Sequence, residues 1–89
     1  MPATPITQTG SVSSQSDLLL GWSLAETSGS VAAGVEIHDA AAATRMIASV
    51  NLDPGESTGP QNVNPPLQLS SGSLYVVVTG SVEGAIWWA

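Results

Sequence analysis

From Leu18 to Ile37 the chain changes character at every second residue, and this two-residue period constrains the fold more than any other feature. Leu18, Leu20, Trp22 and Leu24 share one side of an extended strand, with Asp17, Leu19, Gly21, Ser23 and Ala25 on the other. After the turn Thr27-Ser28-Gly29-Ser30, Val31, Ala33, Val35 and Ile37 alternate with Ala32, Gly34, Glu36 and His38. Side chains of a strand point to opposite faces in turn, so runs of this kind are made for a sheet with a covered face. The period resumes downstream, with Met46, Ala48, Val50 and Leu52 set against Arg45, Ile47, Ser49 and Asn51. Asp39–Thr44 (DAAAAT) has helix-forming alanines behind a capping Asp. The immediate return of alternation favours a loop or a single turn there.

Turn residues mark the remaining boundaries. In Asp53-Pro54-Gly55-Glu56, Pro presets φ and Gly takes the position that follows. The next stretch, STGPQNVNPP, holds three prolines and is expected to be a long surface loop, because proline cannot donate to a central ladder. Leu67-Gln68-Leu69 reads as a short strand, and Ser70–Gly72 turns the chain toward its end. Residues 1–16, rich in Thr, Ser, Gln and Pro, read as an extended arm ahead of a domain spanning 17–89. Leu74–Thr79 and Val82–Trp88 flank Gly80-Ser81, which predicts a type II′ hairpin. Its pairs would be Thr79 with Val82, Val77 with Gly84, Tyr75 with Ile86 and Ser73 with Trp88.

The resulting expectation is an all-β domain, a small antiparallel β-sandwich of Ig-like or jelly-roll style with six to seven strands. The inward set would be Leu18, Leu20, Trp22, Leu24, Val31, Val35, Ile37, Met46, Val50, Leu52, Leu67, Leu69, Leu74, Val76, Val78 and Trp87. Both faces of the closing hairpin would be apolar, more than one small sandwich is expected to cover by itself.

Composition narrows function by exclusion. Seven acids stand against Arg45 alone, a formal charge of −6, so the cationic surface that nucleic acid or an anionic membrane needs is missing. Charged residues make up 9% of the chain and apolar residues 43%, too apolar for a disordered acidic tail and unusually neutral for a free monomer. With no cysteine in 89 residues there are no disulfide staples, leaving packing and oligomerisation to stabilise a small core. The segment Met1-Pro2-Ala3-Thr4-Pro5 lacks the features of a signal peptide, and no apolar run is long enough to span a bilayer. A chain made in a cytoplasm and remaining soluble there is the expectation.

Reactive groups are equally sparse. His38 is the one histidine and no nucleophile-elbow sequence accompanies it, so no catalytic residue is expected and the chain reads as a non-enzyme. Glu36, His38 and Asp39 form the only local set of metal-ligand types, too few for a dedicated site; neither metal nor cofactor is expected. His38 reads as an exposed residue at a strand end. Trp22, Trp87, Trp88 and Tyr75 would provide stacking platforms for sugar rings, which keeps a carbohydrate-binding module as the alternative.

Three stretches, "LLGWSLAETSGSVAAGVEIHD", "LDPGEST" and "SGSLYVVVTGSVEGAIWW", together resemble small β-sandwich virion proteins of tailed phages that infect actinobacteria. The resemblance covers about residues 17 to 88 and contains no catalytic motif. It implies a capsid decoration (cement) protein on the outer head surface, with the major capsid protein and neighbouring copies as partners and a trimer as the favoured oligomer. Such a subunit would be assembled in the host cytoplasm; a carbohydrate-binding or host-attachment module of a fibre or tail, and a small head–tail or tail-tube accessory subunit, are the alternatives. On this reading Leu19, Tyr75, Val77, Ile86 and Trp88 form the subunit interface. The arm and loop, through Pro5, Ile6, Val12, Pro60, Asn62, Val63 and Pro65, reach the capsid.

Overall fold

The computed structural model describes residues 2–89 and is all-β, with two antiparallel four-stranded sheets packed face to face. In chain order the strands are β1 (Ala3–Ile6), β2 (Gly10–Ser13), β3 (Leu18–Glu26), β4 (Ala33–His38), β5 (Met46–Leu52), β6 (Gln61–Gln68), β7 (Leu74–Thr79) and β8 (Val82–Trp88). The first sheet runs β1-β8-β3-β6 and the second β2-β7-β4-β5. First pairs with last, second with seventh, third with sixth and fourth with fifth, all antiparallel. A long hairpin of eight strands rolled up on itself gives this order, the jelly roll. Of the two styles consistent with the sequence, the strand order selects this one. Asp39–Thr44 is a loop, as the return of alternation after it requires.

The terminal hairpin is not formed. Gly80 does take a positive φ of 84°, but it turns the chain from one sheet to the other. β7 pairs with β2 and β4, while β8 pairs with β1 and β3. This exchange resolves the surplus of apolar surface. In a hairpin, Leu74 and Val76 would share a face with Trp87; across an arch each strand turns its own inner face to the core. Leu74, Val76, Val82 and Ile86 are therefore all buried.

The segment expected as an arm belongs to the sandwich. β1 and β2 are edge strands of opposite sheets, and Ile6 and Val12 are only 3% and 7% exposed. The isolated apolar residues that made 1–16 look like a tail are its anchors. The Trp88 indole Nε1 donates to Thr4 Oγ1 at 3.0 Å, and that hydroxyl donates to the Val12 carbonyl at 3.0 Å, linking β8, β1 and β2.

The proline-rich segment is also a strand. Residues 61–68 form β6, with Gln61 and Asn62 paired to Trp22 and Gly21, and Leu67 and Gln68 paired to Leu19 and Leu18. Pairing is interrupted between, where Pro65 and Pro66 lie, and an edge position tolerates this. Only the start of the expected loop remains one, and it is fastened to β3: Leu24 N–H donates to Thr58 Oγ1 at 3.1 Å and Glu26 N–H to the Glu56 carbonyl at 2.8 Å.

Within β3 the phase differs from that expected. A register shift between Leu19 and Gly21 inserts one extra residue, so Leu19 becomes buried while Trp22 and Leu24 keep their inward phase. A bulge of one residue exchanges the faces on one side of it. Val31, in the turn before β4, and Met46, at a second irregularity opposite His38, are exposed, and Leu67 lies partly exposed on the β6 edge.

Candidate functional site

The buried polar side chains lie at the two ends of the roll, and loops occupy them. Asp39, at the end of β4, accepts from Ser70 N–H and Oγ at 3.0 Å each, from Ser71 N–H at 3.1 Å and from Ser71 Oγ at 2.7 Å. Burial pushes this carboxyl up, but the four donors outweigh it and leave the pKa at about 2. At the opposite end Glu26 accepts from the N–H groups of Ser28 and Gly29 at 2.7 Å and of Gly55 at 2.8 Å. The Ser28 hydroxyl, with these backbone donors, lowers Glu26 to about 2 against the upward push of burial. Each carboxylate ties two loops together.

His38 is buried, contrary to the exposed strand-end position expected of it. Its Nδ1 accepts the Arg45 N–H at 3.2 Å, which leaves Nε2–H to donate to Glu36 Oε1 at 3.1 Å. Glu36 and His38 do share a face, but Asp39 is turned to Ser70 and Ser71, so the three do not converge. No group of three potential metal ligands occurs among the described residues.

The expected interface residues separate. Leu19 and Ile86 are 1% and 0% exposed and belong to the core, so neither meets a partner. Trp88 packs against the core beside them. Tyr75 and Val77 remain on the outer face of the second sheet, half-buried, beside His38 and Glu36. There Ala32, Gly34, Glu36, Ser49, Asn51 and Thr79 line an open groove of about 340 Å³, its floor at Gly34 between Thr79 and Asn51.

Of the residues assigned to capsid contact, Ile6 and Val12 are buried and unavailable, and Val63 packs against the core. Pro5, Pro60, Asn62 and Pro65 are exposed, Pro5 on β1 and the others along or just before β6.

Trp87, expected inside, has the outward phase on the first sheet. It stands in a cross-strand row Ala3–Trp87–Gly21–Asn62, above a second row Pro5–Ala85–Ser23. Small residues make this face low in relief, with Glu83 the charged residue on the outer side of β8. Assigning Trp87 from sequence would have required reading Gly80-Ser81 as an arch, for which the alternation within each strand gives no signal. Comparison of the chain with protein-family models, curated proteins and solved structures finds no match.

Proposed function

We propose that this chain is a non-enzymatic structural protein of a virion, a decoration subunit on the outer capsid surface that contacts the major capsid protein and copies of itself. The observation that carries the reading is the outer face of β1, β8 and β3, where Ala3, Pro5, Ala85 and Gly21 lie about Trp87 and the one acid, Glu83, stands farther along beside Ala25. A flat, weakly charged sheet face with one large aromatic fits a broad protein partner, and tryptophan is prominent among residues that dominate such contacts. The sequence resemblance to phage virion proteins agrees in kind. Jelly rolls serve in capsids and in lectins alike, so the fold itself is neutral between these uses.

The test is co-sedimentation with heads of actinobacterial tailed phages stripped of their surface proteins. Wild type is expected to pellet with the heads, while Trp87→Ala and Ala85→Lys, both on the outer face, stay in the supernatant with unchanged circular dichroism. Equal pelleting of all three would refute the assignment of this face. The glycan-binding reading rests on the same outward Trp87, and capture on a polysaccharide array with no head binding would replace the first reading with it.

A further inference from the structure

We infer that β5 is an edge for strand addition, and that its occupant is the β5 of a second copy, paired antiparallel about a two-fold axis through Ser49. The inference is independent of the virion reading. A sheet edge presents unpaired N–H and C=O groups, and proteins blunt such edges with proline, charge, bulges or short strands. The four edges of this roll differ in just this respect. β1 carries Pro5 and follows Pro2, β6 carries Pro65 and Pro66, and β2 has four residues and a register shift. β5 is seven residues, MIASVNL, with neither proline nor charge; its one register shift is confined to the Met46–Ala48 end, and it pairs on one side only, with β4.

The sequence of β5 is complementary to itself. A two-fold axis through Ser49 places Ala48 opposite Val50 of the second copy, and beyond the irregularity at Ile47 it sets Ile47 against Asn51 and Met46 against Leu52. Ala48 and Val50 lie on the core-facing side and are only partly buried in the single chain, so pairing covers both. Ser49 and Asn51, on the outer side, bring no like charges together. The same register carries one step further at each end. Arg45, the only cation of the chain apart from the histidine, comes opposite Asp53 of the second copy, and the symmetry repeats the pair. Both residues are exposed, and neither side chain forms an ion pair within its own chain among the described residues. For a chain of charge −6, an edge free of acids along its length with one opposite-sign pair at each end is where a second copy meets least repulsion. Two second sheets so joined form one continuous antiparallel sheet of eight strands.

Sedimentation velocity across a concentration series up to about 1 mM tests this. Wild type is expected to show a reversible monomer–dimer equilibrium. Ser49→Lys sets two cations face to face across the axis, while in its own chain the added ammonium lies beside Glu36, so the fold is retained. It should weaken dimerisation at least about tenfold. Arg45→Asp and Asp53→Arg each oppose like charges and should weaken it similarly, and the double variant Arg45→Asp/Asp53→Arg should restore it. Each variant is checked for a wild-type circular dichroism spectrum. A wild type monomeric throughout, or a dimer unchanged by Ser49→Lys, overturns the edge assignment. Failure of the double reversal to restore pairing overturns the register.

Discussion

Asp39 shows how much a single side chain supports in a chain without disulfides. It gathers four hydrogen bonds from Ser70 and Ser71, and the turn they occupy joins β6 to β7. Asp39→Ala removes the acceptor of all four bonds and is expected to cost about 1–3 kcal/mol, read as a lower urea midpoint at pH 7. Glu26 does the same work at the other end. Both carboxyls are held at about 2 when folded, against ordinary values of 3.8 and 4.5. A depressed folded pKa contributes stability that is fully present above the unfolded value and is lost as pH falls through the folded one. Wild type should therefore lose stability between about pH 5 and pH 2. Glu26→Gln/Asp39→Asn, less stable at neutrality, should show a shallower fall. Equal slopes in urea melts at pH 7, 4 and 2 would contradict the assignment. None of this was legible in the sequence, because Asp39 and Ser70 are far apart along the chain and only the closed roll brings them together.

At the scale of the element, alternation located most strands correctly and assigned some of their faces wrongly. β4, Leu24 of β3 and the inward pair Leu74 and Val76 of β7 lie as their period predicts. The faces of Leu19 and Trp87 do not, for two different physical reasons: a bulge inserts a residue, and an arch replaces a hairpin. Two glycines sit where neighbouring strands come closest. A Cβ on Gly21, at the bulge, would land on the Gln61 carbonyl oxygen, and one on Gly84 would land on that of Ser23. The backbones of β3 and β6, and of β8 and β3, approach too closely there for any side chain. Gly21→Ala and Gly84→Ala should each cost about 1–3 kcal/mol, as overpacking does. Gly10→Ala, whose Cβ meets nothing nearby, should be close to neutral, a contrast that thermal melts of the three variants would measure.

For the whole molecule the decisive fact is that the strand nearest the amino terminus pairs with the one nearest the carboxyl terminus. Ala3–Ile6 lie against Gly84–Trp87, so the first sheet lacks its β8 edge partner until the two ends of the chain meet. An arm that merely extends from a finished domain would be dispensable to its stability; β1 is not such an arm. Removing residues 1–8 strips Ile6 from the core and the hydroxyl of Thr4 from Trp88, and opens the apolar edge of β8. Loss of the buried Ile6 side chain alone costs about 1.5–3 kcal/mol, a large share of the 5–15 kcal/mol typical of a domain. The truncated chain should unfold at far lower urea concentration, with Trp88 fluorescence shifted to the red before denaturant is added. Ile86→Ala should behave similarly, at about 2–5 kcal/mol, because its side chain is wholly enclosed. Tyr75→Ala, on the outer face of the second sheet, should change the midpoint little. If truncation left the melt of residues 9–89 superimposable on that of the intact chain, the pairing of β1 with β8 would be wrong, and the closure of the roll with it.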